Sequence, residues 1–169
     1  MLLLGILLFA GCGMDPMAGL VPSTVPPEKW VVDFGAERWK LGSNEGNRAV
    51  RVIEYVPEGQ SVEAWKELVT DGFVTGRFET ASKFIEVSRQ SLSRRVDGFQ
   101  SEVIYDTGAE ALWEWWHPDS GKWPAEDQLE IVKYYPTGIL TLAYVRKGPP
   151  MSGEEKARWI DRLKNAKLK

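Results

Sequence analysis

A chain of 169 residues with one cysteine, Cys12, and one histidine, His117, excludes several chemistries at once. An internal disulfide, a Cys/His zinc site and a Cys-x-x-Cys redox centre all need more of these residues. Strong charge of either sign is also missing: 21 Lys and Arg against 24 Asp and Glu leave a formal net charge of −3. A nucleic-acid binder would be strongly basic or carry a basic stripe, so no nucleic-acid partner is expected. No Gly-x-Ser-x-Gly elbow presents a serine nucleophile, and no Asp-rich loop is built for calcium. The turn Asp119-Ser120-Gly121-Lys122 lacks the glycine spacing of a phosphate-binding loop. A metal held by carboxylates alone stays open, but no metal ligand and no cofactor is singled out. With 43% hydrophobic and 27% charged residues, the composition is that of a folded domain rather than a disordered tail.

Charge is absent altogether from residues 2–11, LLLGILLFAG. Ten helical residues span about 15 Å, roughly half a bilayer core, which is short for a membrane span but fits a secretory signal core. A buried amino-terminal helix is the alternative; it should show polar positions every three or four residues, and this stretch has none. Gly11-Cys12 follows directly. Leu8-Phe9-Ala10-Gly11-Cys12 resembles the lipobox of bacterial lipoproteins. That resemblance implies a signal peptide at 1–11, cleavage before Cys12 and acylation of the Cys12 sulfur and the new amino group. A free thiol in an exported protein invites oxidation or pairing, and acylation would remove the only one. One acyl chain holds a protein marginally and two or three hold it stably. Gly13, where some family members carry an Asp that retains them in the inner membrane, implies an outer-membrane location facing the periplasm.

Residues 13–27, GMDPMAGLVPSTVPP, hold four of the ten prolines and one charge, Asp15. Pro-rich chain extends about 3.1 Å per residue, so this stretch reaches at most about 45 Å. With Cys12 it is expected to form a tether, or else to lie against the domain. Residues 28–169 carry all 21 basic and 23 of the 24 acidic residues and form one expected domain. A chain of that length buries enough surface for a core without covalent staples.

Three helices are predicted there. Ser61 can cap one through about Thr70, with Val62, Trp65, Leu68 and Val69 as its stripe and Asp71-Gly72 as its stop. Thr80 can cap a second, in which Ala81, Phe84, Ile85, Ser88, Leu92 and Val96 recur at helical spacing. Ser152 and Glu155 form a capping box for a third, with Ala157, Ile160, Leu163 and Ala166 apolar. Seven strands are predicted over 30–34, 38–42, 49–56, 99–106, 109–117, 128–135 and 139–146, with hairpin turns at Asp106-Thr107-Gly108 and Pro136-Thr137-Gly138. This order gives an α+β fold: an antiparallel β-sheet with about three helices packed on it. The stretches Glu54–Trp65 and Glu130–Lys147 resemble uncharacterised Gram-negative lipoproteins, and the element order is similar to the Mog1/PsbP-like fold. Neither resemblance implies catalytic residues.

His117, in Trp115-Trp116-His117-Pro118, is either a general base or a polar residue that ends a strand before proline. Glu110 and Glu114 share a strand face about 13 Å apart along the backbone, long for a pair of glycosidase carboxylates. Glu126, Asp127 and Glu130 are expected in or beside a loop, solvated. The aromatic content stands out: eight Trp, with Trp113, Trp115, Trp116 and Trp123 inside eleven residues. On a strand Trp113 and Trp115 share a face with His117, while Trp116 points the other way with Leu112 and Glu114. These rings form either an open aromatic binding platform or the core under helices. The basic residues Arg158, Arg162, Lys164, Lys167 and Lys169 favour a helix C-terminus or, alternatively, anionic lipid, and Lys83, Arg89, Arg94 and Arg95 pose the same choice. The expected function is a non-enzymatic, membrane-anchored binding or assembly module with an envelope protein or glycan partner. The alternatives are an envelope glycan hydrolase using carboxylates, and a structural lipoprotein with a membrane-apposed basic helix.

Overall fold

The computed structural model describes residues 29–47 and 49–169. Cys12 and the segments expected to be a signal peptide, 1–11, and a tether, 13–27, lie outside the described residues. The sheet has seven strands, all antiparallel, in the order β2-β3-β4-β8-β7-β6-β5. They are β2 (Trp39–Gly46), β3 (Val50–Pro57), β4 (Glu67–Thr75), β5 (Gln100–Asp106), β6 (Glu110–His117), β7 (Glu126–Tyr135) and β8 (Gly138–Lys147). A two-stranded ribbon pairs β1 (Trp30–Val31) with β9 (Lys167–Leu168). Two helices, α1 (Ala81–Ser93) and α2 (Gly153–Asn165), pack on opposite faces of the large sheet. No helix among the described residues is long and apolar enough to cross a membrane.

The α+β architecture with a large antiparallel sheet is as expected; the helix count is not. The described residues hold two helices rather than three, and the segment read as a helix from Ser61 to Thr70 becomes a turn followed by β4. The sequence Leu-Val-Thr-Asp-Gly-Phe-Val is a continuous buried run, the signature of a strand hydrogen-bonded on both edges and covered on both faces. Asp71-Gly72, taken for a helix stop, lies mid-strand. Asp71 is fully buried, 3.0 Å from Arg51 of β3, and accepts the backbone N–H of Trp30 at 3.1 Å. Strand 30–34 is shorter than predicted because only Trp30 and Val31 find a partner, in β9.

Helix α1 covers β5, β6 and β7 with Ala81, Phe84, Ile85 and Leu92, and the Thr80 hydroxyl accepts the Lys83 N–H as predicted. Helix α2 turns Leu163 of the predicted stripe inward, with Ile160 and Ala166 partly buried against the same core; Ala157 is exposed, and Trp159, outside that stripe, is the other buried residue. Trp159 stacks on Tyr144 at 3.8 Å between centroids and meets Trp39 edge-on. Such ring pairs add about 0.5–1.5 kcal/mol beyond buried area. Ser152 caps α2 through the Glu155 N–H, but the Glu155 carboxylate does not close a box. It accepts instead from Tyr144 Oη at 3.0 Å and Arg146 at 2.7 Å, which fixes the helix to β8.

Candidate functional site

Strand pairing places side chains of β6, β7 and β8 in rungs across the face beneath α1. His117 is opposite Glu126, which is opposite Lys147; Trp115 is opposite Gln128 and Val145; Trp113 is opposite Glu130 and Ala143. Glu126, Gln128 and Glu130 therefore line one face of β7, each two residues from the next. This corrects their expected place in a solvated loop: β7 begins at Glu126, and Asp127 and Glu130 are buried.

Burial raises the proton affinity of each carboxyl. It pushes Glu130 up to about 7, opposed by the hydrogen bond from Trp113. The Trp113 indole N–H donates to Glu130 at 2.8 Å. Burial also pushes Glu126 up to about 7, with only Lys147 opposing. Lys147 itself lies 3.9 Å over the Trp65 ring. On the opposite face Asp127 is pushed up to about 6 by burial, against the Met151 N–H that donates to it at 2.7 Å just ahead of α2. His117 is buried, stacked on Trp115, with Nδ1 2.8 Å from the Pro118 carbonyl. A carbonyl only accepts, so Nδ1 carries a proton there and Nε2 is the ring's second site.

This face thus carries two carboxyls raised to about 7 by burial, with one imidazole and one ammonium on the strands flanking Glu126. Its carboxyls sit about 13 Å apart along the strand, too far to share a proton or flank one glycosidic bond. No group of three His, Cys, Asp or Glu placed to hold a metal occurs among the described residues. No protein-family model, curated protein or solved structure matches the chain, so the cluster rests on its own geometry.

The other candidate residues are distributed as follows. Trp113 and Trp115 are 1% and 0% exposed, filling the core under α1 rather than forming an open platform. Both sheet faces are covered where they stand, so no ligand reaches their ring faces. Trp116 points to the other face and is half-buried, as is Trp123 in the following loop. Glu110 and Glu114 do share a face, but in separate pairings. Glu110 accepts the Tyr105 hydroxyl at 2.6 Å and lies 3.8 Å from Lys133, whereas Glu114 is buried against Lys156 of α2. Of the α2 cations, Arg162 turns to Glu37 and stacks over Trp159, and Lys164 lies over Tyr105. On α1, Lys83 pairs with Glu86 and Arg89 donates to Ser101 at 2.8 Å. Sequence reasoning missed Glu130 and Asp71 as buried groups and Glu126 as a half-buried one. The strict two-residue spacing of Glu126, Gln128 and Glu130 was the signal available.

Proposed function

We propose that the chain is a membrane-anchored envelope lipoprotein whose domain is a non-enzymatic binding or assembly module. Cys12 carries the lipid, residues 13–27 are the tether, and the domain faces the periplasm from the outer membrane. The observation that carries this reading is the uncharged run ending in Leu8-Phe9-Ala10-Gly11-Cys12, with the chain's only thiol at its end. The pairings of Glu110 and Glu114 favour it over the glycan hydrolase, because a general acid must reach a leaving-group oxygen and Glu114 is 5% exposed beside Lys156. The inward turn of Lys156 and Arg162 favours it over a basic helix laid on lipid. Of Trp113, Trp115 and Trp116, considered for partner contact, Trp116 is the one that is not fully buried, and Trp123 in the loop that follows is half-buried too.

Fractionation of cells producing the wild-type chain or Cys12→Ala tests the reading. The wild type is expected in the outer-membrane fraction and the variant outside it. Equal distribution of the two chains would refute the anchor.

A further inference from the structure

An open sheet exposes two edges, and they are built differently. At one end β5 carries two acidic residues, Glu102 and Asp106, and is crossed by side chains from both helices: Arg89 to Ser101, Lys156 to Glu102 and Lys164 over Tyr105. At the other end β2 is exposed along nearly its whole length, with the Leu41 side chain 58% accessible. A long uncovered edge is a template for a further strand. Its two charged residues, Lys40 and Glu45, form no ion pair among the described residues.

We propose that β2 pairs antiparallel with β2 of a second copy of this chain, giving a continuous fourteen-stranded sheet about a two-fold axis between Gly42 and Ser43. The strand's own pattern selects that register. Centring the axis there sets Lys40 opposite Glu45 of the second copy, twice by symmetry. The register with β3 puts Lys40 opposite Val56 and Glu45 opposite Val52, so both charges stand on one face and meet on one face of the joined sheet. Leu41 then faces Asn44 on the other side, where its exposed side chain is covered. Backbone direction agrees. The Arg38 carbonyl and the Asn47 amide point at β3, and alternation through the bulge at Gly42 leaves the polar groups of Leu41 and Asn44 pointing outward, as a pairing rung requires. Shifting the axis to Lys40 or to Glu45 would set like charges face to face, which penalises those registers. Two eight-residue strands make a small interface, so the dimer is expected to dissociate on dilution.

Sedimentation of the full-length chain in mild detergent over a concentration series tests this, alongside Lys40→Glu, Glu45→Lys and the double variant. Both positions are exposed, and circular dichroism checks that each variant is folded. The wild type is expected to dimerise reversibly. Each single reversal turns two attractive pairs repulsive and should weaken association about tenfold or more, and the double reversal should restore it. Zero-length carbodiimide coupling of mixed light and heavy-nitrogen protein should join Lys40 of one copy to Glu45 of the other. Within one strand these residues are about 15 Å apart, too far to couple. A chain that stays monomeric, a dimer indifferent to Lys40→Glu, or a double variant as weak as the single ones would each overturn the proposal.

Discussion

Replacing Glu130 by Gln isolates the energetic cost of ionising a carboxyl in the middle of this sheet. Glutamine keeps the shape and leaves a carbonyl oxygen to accept the Trp113 indole N–H, but it cannot ionise. Glu130 is 5% exposed, and burial raises it from 4.5 to about 7. Because the folded state holds the proton more tightly, the carboxyl's favourable contribution is complete below about pH 4.5. It is then lost as pH climbs towards 7, where the group ionises in its buried place. At about 1.4 kcal/mol per pKa unit, the wild type loses about 3 kcal/mol across that window through this residue alone. Glu126 and Asp127 shift in the same direction and steepen the decline. Urea denaturation of wild type and Glu130→Gln at pH 5, 6, 7 and 8, followed by far-ultraviolet circular dichroism, reads the difference. The variant should gain on the wild type by about 3 kcal/mol between pH 5 and pH 8. A stability difference that does not change with pH would refute the reasoning.

Trp113→Ala should cost about 3–5 kcal/mol as a core truncation, whereas the half-buried Trp116→Ala should cost under about 1.5 kcal/mol, both by urea denaturation. Equal costs would contradict the assignment of Trp113 to the core. Arg51→Met leaves the Asp71 carboxyl buried without its cation and should cost about 3–5 kcal/mol, while adding Asp71→Leu should recover most of the loss. Thermal unfolding monitored by tryptophan fluorescence checks this; a single variant that melts with the wild type would refute it.

The hairpins around Thr107-Gly108 and Pro136-Thr137 were legible because their turn residues separate alternating or β-branched runs, and α1 because its apolar residues recur on one side only. Residues 61–70 were not. Val62, Trp65, Leu68 and Val69 fit a helical stripe, but Leu68 and Val69 belong to a strand buried on both faces, where alternation with polar residues disappears. What decides is the neighbours β3 and β8, one earlier and one much later in the chain. Asp71 misled for the same reason: its partner Arg51 lies twenty residues away, and an acidic residue before glycine otherwise suggests a turn. The tryptophan cluster left two readings because alternation assigns rings to faces without saying what covers each face. Only the placement of α1 over their face buries Trp113 and Trp115. Glu126 and Glu130 looked solvated because charged residues usually are; the sheet around β7 and the packing over it leave Glu126 half-buried and Glu130 buried.

The intact mass of the mature protein, extracted from membranes with detergent, tests the lipid anchor most directly. The expected product begins at Cys12 and carries the added mass of a diacylglyceryl group and an amide-linked acyl chain. A mature chain that retains residues 1–11, or one that begins at an unmodified Cys12, would contradict the account.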